Sequence, residues 1–337
     1  MIARQLWFEA PGKVEVRDQE LRDLAEDEIL VRTQCSGISA GTELLVYRGQ
    51  LPSDISLDAN IEALKDLDST YPLAYGYASV GTIEAVGSMV DPAISGKLIF
   101  AFQPHASHFI CKAAQVIFLP DEISAEAGIF LANMETAVNL LIDAAPQTNE
   151  SVAIIGLGVV GQLVNSLLSE YSTKKVFALD KLAYRRKVAE QSQAATGINP
   201  DAQDLKGVMP DEGFGLVLEL SGNPEALNLA IDICGFAGRI IVGSWYGNKS
   251  AALNLGGKFH RNRLKIISSQ VSTIHPEHLA EWDKEKRLQK ALQSIISLLP
   301  EKLITHRFHL NQAPEAYQLL VTEPDSALQV VFTYEDL

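Results

Sequence analysis

The stretch Ser151-Val152-Ala153-Ile154-Ile155-Gly156-Leu157-Gly158-Val159-Val160-Gly161 decides how this chain folds. An apolar, β-branched run ends directly in the pattern GxGxxG, and an amphipathic segment follows the glycines. A second apolar run, residues 176–179, ends in Asp180, which lies 19 residues after Gly161. A strand, a glycine turn, a helix, a second strand and an acid in this order predict a dinucleotide-binding unit.

Each glycine of the turn has its own expected role. Gly156 would allow the tight turn out of the strand, Gly158 would let a pyrophosphate approach the backbone, and Gly161 would let the helix pack closely on the strand. The helix N-terminus would offer free N–H groups and a partial positive charge to the phosphates. The cofactor-binding candidates of this turn are therefore Gly156, Leu157, Gly158, Val159, Val160 and Gly161.

Asp180 decides which cofactor is expected. A carboxylate at this position would accept hydrogen bonds from the adenosine ribose hydroxyls and would repel a 2′-phosphate, which favours NAD. NADP stays an alternative, because Lys181 and Arg185 lie nearby and could partly compensate for a phosphate. Ser221, directly after an apolar strand expected at 216–220, completes the cofactor-binding candidates of this half.

Composition limits the class of protein. A chain of 337 residues is too long for one ordinary core and predicts two domains. The formal net charge of −14, with no basic run or arm, disfavours a nucleic-acid partner. The three widely spaced cysteines form neither a disulfide framework nor a CxxC metal site, so buried thiols in a reducing compartment are expected. No signal peptide and no run of ~20 apolar residues is visible, so a cytoplasmic protein without a membrane partner is expected.

The pattern of the chain changes near Pro120. The first part carries short β-patterned runs punctuated by glycine, including a hairpin around Pro11-Gly12, and predicts a β barrel or sandwich. The second part repeats βα units, with helices expected at 159–170 and 182–194 and strands at 239–243 and 264–268, and predicts a parallel sheet covered on both faces.

The remaining segments set the predicted domain limits. A short helical stretch is expected at 61–67 and a long one at 276–299, and the tail at 306–309 and 328–332 returns to a β pattern that would rejoin the first domain. The predicted division is a discontinuous β domain of residues 1–122 and 276–337, and a dinucleotide-binding domain of residues 123–275.

This two-domain plan resembles the medium-chain dehydrogenase/reductase superfamily over nearly the whole chain. The residues that carry the resemblance lie at 8–16, 37–43, 76–81, 156–161 and 238–243. It implies an α/β protein with an N-terminal GroES-like β-barrel domain and a Rossmann doubly wound parallel-sheet domain. It also implies a nicotinamide cofactor, a small-molecule substrate in the cleft between the domains, and a homodimer formed through the sheet edge near 239–243 and Trp245-Tyr246.

Within the superfamily, two segments look most like the bacteriochlorophyllide (hydroxyethyl) dehydrogenase-like branch. They are Ser36-Gly37-Ile38-Ser39-Ala40-Gly41-Thr42-Glu43 and residues 260–271, which read His-Arg-Asn-Arg-Leu-Lys-Ile-Ile-Ser-Ser-Gln-Val. This likeness does not give the substrate.

The departures from the zinc members of the superfamily are as informative as the matches. The first loop has Ser39 and Ala40 where those enzymes have a cysteine, and Tyr77 stands where their GHExxG pattern has the zinc histidine. The segment 132–136 offers no cysteine at the third ligand position. A zinc site needs three or four ligands, so the chain is identified as similar to a zinc-free branch, with no metal expected.

Without zinc, side chains must handle the proton that accompanies hydride transfer. The resemblance implies that Thr42 stands where the zinc enzymes have a proton-relaying hydroxyl and that Thr136 touches the nicotinamide. Tyr77 would either hydrogen-bond a substrate carbonyl or only fill the space left by the metal. The catalytic candidates are Thr42, Tyr77, Ser39 and His105.

Two acids near these candidates have expected structural roles. Glu43 would stabilise the loop that carries Ser39 rather than touch the substrate. Glu135 lies near the start of a helix, where the dipole favours a carboxylate.

The sequence is compatible with three functions. The first is a zinc-independent NAD(P)-linked oxidoreductase acting on an alcohol/carbonyl pair or a conjugated enone. The second is a non-catalytic nucleotide-binding redox sensor, since every zinc ligand is lost. The third is a metal-dependent alcohol dehydrogenase that would use His105, His108 and Glu135.

Overall fold

The computed structural model describes residues 1–51, 70–192, 195–202 and 205–335 of the chain. The helical stretch expected at 61–67 lies outside these residues. None of the described helices is long and apolar enough to cross a bilayer. Cys35, Cys111 and Cys234 are all free and buried, as the sequence predicts.

The N-terminal part is built from antiparallel strands with two short helices. Pro11-Gly12 forms the predicted hairpin turn, where Gly12 has φ of 77°. The elements in chain order are β1 (Ile2–Ala10), β2 (Lys13–Glu20), β3 (Glu28–Ile38), α1 (Glu43–Tyr47), β4 (Ser79–Val86), β5 (Leu98–Ala101), β6 (His108–Lys112), β7 (Ile117–Phe118) and α2 (Ala125–Gly128).

The middle of the chain alternates helices with parallel strands. Its elements are α3 (Leu131–Ala144), β8 (Ser151–Ile155), α4 (Val159–Leu167), β9 (Lys175–Leu179), α5 (Ala183–Ser192), β10 (Thr196–Ile198), α6 (Leu205–Val208), β11 (Phe214–Glu219), α7 (Ala226–Ile233), β12 (Cys234–Val242), β13 (Lys265–Ser268) and α8 (Lys284–Leu298). The six strands form one parallel sheet in the order β10-β9-β8-β11-β12-β13. All five residues of β8 are buried, as both-faced burial of a central parallel strand requires.

The tail forms β14 (Ile304–His309), α9 (Ala313–Thr322) and β15 (Gln329–Thr333). β15 pairs antiparallel with β3, so the tail joins the N-terminal sheet, whose order is β14-β15-β3-β4-β5-β7 with β6 also on β3. One mainly antiparallel sheet domain, in which only β14 and β15 of the described strands pair parallel, and one parallel Rossmann-like domain confirm the predicted fold class.

Two compact units divide the chain: residues 1–132 with 295–337, and residues 133–294. Both domain boundaries lie later in the chain than predicted: after residue 132 instead of 122, and after residue 294 instead of 275. The long helix expected at 276–299 is in fact the shorter α8, and most of it belongs to the second unit. Arg287 explains this placement, because its guanidinium donates to Glu135, to Asn139 and to the Val271 carbonyl of the same unit.

The strand expected at 239–243 begins earlier, at Cys234, and ends at Val242. Its pairing with β11 shifts register between Phe214 and Leu216, and Ala237 has a positive φ of 55°. An irregular strand of this kind breaks the alternation from which a strand is predicted, which is why its first five residues were not expected.

Candidate functional site

The glycine turn between β8 and α4 has the geometry that the sequence predicts. Gly156 has φ of +96°, and a Cβ on it would lie 2.5 Å from Ser221 Cα. A Cβ on Gly161 would lie 2.1 Å from the Gly156 carbonyl oxygen, so the first helical turn packs directly on the end of the strand. Neither position has room for a side chain.

Gly158 differs from the other two glycines of the turn, Gly156 and Gly161. It is the N-cap of α4, with φ −68° and ψ −170°, and a Cβ built on it would meet no heavy atom within 4 Å. The space over this residue is open, at the point where the free N–H groups of the first helical turn lie. An anion can approach this backbone closely, as the pyrophosphate role of Gly158 requires.

Asp180 follows β9 and fastens the turn. Its Oδ2 accepts a hydrogen bond from the Leu157 N–H at 2.8 Å, and its Oδ1 accepts one from the Leu182 N–H at 2.8 Å. The carboxylate is 9 % exposed, so it is buried by its own neighbours but reachable at one edge. Each carboxylate oxygen has a further lone pair with which it can accept a ribose hydroxyl.

The basic residues beside Asp180 have separate partners. Arg185 places Nη1 3.9 Å from Asp180 Oδ2. Lys181 forms an ion pair with Asp201 at 3.0 Å, which offsets its charge. Of the two cations expected to compensate for a 2′-phosphate, Arg185 is therefore the one beside the Asp180 carboxylate.

Ser221 lies at the carboxyl end of β11, next to Gly156, and is held by an acid that the sequence did not single out. Glu219 is fully buried and its Oε1 accepts a hydrogen bond from the Ser221 N–H at 2.9 Å. Its Oε2 accepts one from the Tyr246 hydroxyl at 2.5 Å. Burial and the hydrogen bond to Glu219 raise the pKa of Tyr246, so its phenol stays protonated. In the sequence, the signal for this role is an acid inside the apolar run 216–220, just before Ser221.

Three of the predicted catalytic residues meet in the N-terminal unit. The Tyr77 hydroxyl donates to Ser39 Oγ at 2.5 Å and lies 3.5 Å from Thr42 Oγ1. All three side chains are partly exposed. We call Ser39, Thr42 and Tyr77 the hydroxyl cluster. It offers donors and acceptors to an oxygen atom of a bound molecule.

His105, the fourth predicted catalytic residue, lies elsewhere. It has no exposed surface, and both ring nitrogens have protein partners: Nδ1 lies 2.6 Å from Ser36 Oγ and Nε2 lies 3.0 Å from Glu43 Oε2. A group so enclosed cannot touch a substrate in this conformation. The expectation that it exchanges a proton directly with substrate is therefore corrected to a role inside the protein.

Glu43 stabilises its loop, as expected. Its Oε1 accepts a hydrogen bond from the Ser39 N–H at 2.7 Å, which closes the turn that carries the hydroxyl cluster. Its Oε2 also accepts a hydrogen bond from the Tyr317 hydroxyl.

Glu135 differs from its expected role as a charge at a helix start. α3 begins four residues earlier, and Glu135 Oε1 accepts a hydrogen bond from Arg287 Nε at 3.2 Å. Burial raises the pKa of Glu135, and Arg287 opposes that rise. Thr136, the residue expected to touch nicotinamide, follows on the same helix and is partly exposed.

The residues named for the metal hypothesis have three different partners. His105 contacts Glu43, while His108 places Nε2 3.6 Å from Glu84 and Glu135 pairs with Arg287. Within the described ranges, no group of three or more His, Cys, Asp and Glu side chains could hold a metal ion.

Comparisons with known proteins point to one superfamily. The profile of the zinc-binding dehydrogenase family matches residues 159–286. The Escherichia coli K12 starvation-sensing protein RspB is 23% identical over 99% of this chain and 100% of its own length. The D-guloside 3-dehydrogenase of the same organism is 22% identical, over 98% of this chain and 100% of that protein.

Solved structures share the fold over the full length. The NADH complex of the alcohol dehydrogenase RspB from Escherichia coli CFT073 has a TM-score of 0.77 and 19% identity, and covers 99% of both chains. A dehydrogenase of Sinorhizobium meliloti 1021 bound to NADP has a TM-score of 0.78 and 17% identity, again over 99% of both chains. Together with the glycine turn and the two sheets, these likenesses show a chain similar over its full length to dehydrogenases of the medium-chain dehydrogenase/reductase superfamily.

Proposed function

We propose that this chain is a zinc-independent oxidoreductase that transfers a hydride between NAD and a small alcohol/carbonyl pair or a conjugated enone. The observation that carries the proposal is the hydroxyl cluster. Tyr77 and Ser39 stand at two positions where the resemblance expects zinc ligands, and their hydroxyls are hydrogen-bonded to each other at 2.5 Å. A substrate oxygen can be polarised there by hydroxyl donors in place of a metal ion.

The side chains at the three expected ligand positions do not fit zinc. The first two positions hold the hydroxyls of Ser39 and Tyr77, and the segment 132–136 has no cysteine at the third. Zinc in proteins is bound by thiolates, imidazoles and carboxylates, and the one carboxylate of this segment, Glu135, is paired with Arg287. We therefore assign no step of the reaction to a metal.

The glycine turn fits a dinucleotide. The open space over Gly158 and the N–H groups that begin α4 would hold the pyrophosphate, and Asp180 would accept the ribose hydroxyls. The Asp180 carboxylate supports NAD over NADP, and Arg185 keeps NADP as the alternative. Ser221 and Thr136 are proposed as further cofactor contacts. The cofactor, when bound, supplies or accepts the hydride.

Tyr77 is proposed as the acid of the hydroxyl cluster. An unperturbed phenol has a pKa of about 10 and is protonated near neutral pH, so it donates a proton more readily than it accepts one. In carbonyl reduction the Tyr77 O–H would turn from Ser39 to the substrate oxygen and deliver its proton there. Thr42 Oγ1, 3.5 Å from the phenol oxygen, would then offer the second hydrogen bond.

The chemistry of the hydroxyl cluster also supports a substrate class. Its three side chains carry no formal charge and can each donate or accept, which suits a neutral molecule with several hydroxyl groups. The name of the relative D-guloside 3-dehydrogenase supports the same class. We therefore place polyhydroxylated alcohols and their ketones ahead of enones.

A non-catalytic redox sensor is the second candidate function. The residue types at the zinc positions favour it, because none of them is a strong base at neutral pH. A sensor would bind NADH and change conformation, but no substrate would oxidise the bound cofactor.

We also propose a cytoplasmic homodimer. β13 lies at one edge of the six-stranded sheet and pairs with β12 only among the described strands, which leaves a strand edge on which a second copy can pair. Trp245, just after the neighbouring strand β12, is 39 % exposed and adds apolar surface to this unit. The three free thiols support a reducing compartment. Light scattering of the purified protein tests the dimer.

The test of the proposed reaction compares wild type with Tyr77→Phe and Ser39→Ala. NADH and NADPH are titrated first, with metal analysis of the same sample, and polyols and ketoses are then screened for turnover. Loss of one acid group typically costs about 10²- to 10⁴-fold in rate, so Tyr77→Phe should lower kcat in that range and leave the NADH Kd unchanged. Stoichiometric zinc, or full activity of Tyr77→Phe, would contradict the proposal.

A further inference from the structure

We propose that His105 is a positioning residue, which holds the Ser39 turn and the segment that carries Tyr77, just before β4, in their mutual arrangement through a buried hydrogen-bond relay. The relay consists of Ser36, Glu43, His105, Tyr317 and Tyr334, which come from four separated parts of the chain. The inference rests on the proposed function, since it explains how the hydroxyl cluster keeps its geometry.

The first support is the enclosure of the relay. Ser36, Glu43, His105 and Tyr317 have no exposed surface, and Tyr334 is 7 % exposed. The His105 ring also meets Phe332 edge-on, with ring centroids 5.1 Å apart. Buried polar groups are retained only when they are hydrogen-bonded, so each bond of the relay fixes the element to which its partner belongs.

The second support is that one tautomer of His105 gives every donor of its hydrogen bonds an acceptor. A neutral ring with its proton on Nε2 donates to Glu43 Oε2 at 3.0 Å. Its bare Nδ1 then accepts from the Ser36 hydroxyl at 2.6 Å, and Ser36 Oγ accepts from the Tyr334 hydroxyl at 2.6 Å. Burial raises the pKa of Tyr334, which keeps that phenol protonated as a donor. We assign the neutral Nε2–H tautomer on this basis.

The third support is the contact of His105 with the residue before Tyr77. Gly76 has φ of +129°, and a Cβ on it would lie 2.7 Å from His105 Cδ2 and 2.9 Å from Nε2. The imidazole therefore occupies the space that a side chain at position 76 would need. The same ring that anchors Glu43 packs against the backbone from which Tyr77 projects.

Glu43 completes the connection on the other side. Its Oε1 holds the Ser39 N–H at 2.7 Å, and Ser39 Oγ receives the Tyr77 hydroxyl at 2.5 Å. The carboxylate is buried without a guanidinium or ammonium group in the relay, and three donors satisfy it: the Ser39 N–H, the Tyr317 O–H and the His105 N–H. Removing His105 leaves this charge short of one donor and frees Gly76, so Ser39 and Tyr77, two of the three members of the hydroxyl cluster, each lose a support.

The test measures the position of Tyr77 and the rate separately. The protein is labelled with 3-fluorotyrosine, and Tyr77→Phe assigns the ¹⁹F resonance of Tyr77 among the nine tyrosines. His105→Ala should move that resonance and lower kcat by roughly 10- to 100-fold, the cost of a misplacement of about 1 Å. The NADH Kd should stay within about twofold, because the glycine turn belongs to the other compact unit.

Two further variants separate positioning from general loss of stability. His105→Gln keeps one neutral donor and one acceptor and should recover most of the rate. Ile99→Ala removes a fully buried side chain from a different core of the same unit, and it should lower Tm without moving the Tyr77 resonance.

The outcomes distinguish the inference from the proposed function. An unmoved Tyr77 resonance in His105→Ala, or the same shift in Ile99→Ala, would overturn the positioning role. A second outcome is that the Tyr77 resonance shifts in His105→Ala while the wild type turns over no substrate. That outcome would support the positioning role and overturn the proposed function. If His105→Ala does not fold, Ser36→Ala provides the same comparison, since it removes only the Nδ1 partner.

Discussion

Gly158→Ala should separate cofactor binding from folding. A Cβ at this position meets no heavy atom within 4 Å, and φ −68° with ψ −170° is a backbone conformation that alanine adopts without strain. The same methyl group would stand in the open space in front of the N-terminus of α4. The substitution should therefore leave the fold intact and obstruct the pyrophosphate.

The two magnitudes can be worked from the structure. Alanine at an N-cap costs up to about 1 kcal/mol, and the gain from a stiffer unfolded chain is about 0.4–1 kcal/mol. The net change is close to zero, and Tm should move by no more than about 2 °C. Displacing the phosphates from one charge-assisted hydrogen bond costs about 1.5–3 kcal/mol, so the NADH Kd should rise about 10- to 150-fold.

The assay is a fluorescence titration with NADH, accompanied by thermal unfolding of the same samples. Gly256→Ala is the matched control, since a Cβ there also meets nothing within 4 Å and the residue lies outside the glycine turn. Gly161→Ala is the opposite comparison: its Cβ would lie 2.1 Å from the Gly156 carbonyl oxygen, and overpacking of this kind costs about 1–3 kcal/mol or more. Wild-type NADH affinity in Gly158→Ala would refute the assignment of the open space to pyrophosphate.

Three other predictions follow from the described contacts. Asp180→Ala should weaken NADH binding and raise the ratio of NADPH to NADH affinity about tenfold or more, because a charge repulsion of about 1.4 kcal/mol is removed. An unchanged ratio in paired titrations would count against the role of Asp180 in favouring NAD. Arg287→Met should cost about 3–5 kcal/mol in urea unfolding, because it leaves Glu135 buried without its cation, and adding Glu135→Gln should restore part of the loss. The Arg22 side chain, and after it the Ala25 N–H, lower the pKa of Glu28 to about 2 from 4.5. Glu28→Gln should therefore reduce Tm near neutral pH, with a difference from wild type that shrinks as pH falls from about 4.5 toward 2; a difference independent of pH would refute this assignment.

The nucleotide half of the site could be read from the sequence because its signals are local. The strand, the three glycines and Asp180 fall within 30 residues, and each has a single steric or electrostatic reason to be there. The Cβ contacts of Gly156 and Gly161 and the open space over Gly158 follow the predicted roles one by one.

The relay around His105 could not be read in this way, because its contacts are long-range. Ser36 and Tyr334 are separated by 298 positions in the chain, and Glu43 and Tyr317 by 274. No spacing rule connects such residues before the tail is known to pair with β3. His105 was selected for its chemistry alone, and burial changed its role.

Glu135 shows a different kind of limit. A carboxylate near a helix start has a local explanation in the dipole, and that explanation is wrong here because Arg287, 152 positions later, is its partner. The local signal was weak, at typically 0.3–1 kcal/mol, and a buried ion pair outweighs it.

Asp180 has a consequence for how fast a nucleotide can bind. One carboxylate ties the Leu157 amide of the glycine turn to the Leu182 amide at the start of the next helix, and both bonds are made within the protein. The recognition surface is thus preorganised, and an arriving dinucleotide spends little free energy on ordering backbone. Association should then be limited by encounter of nucleotide and protein rather than by rearrangement of the turn.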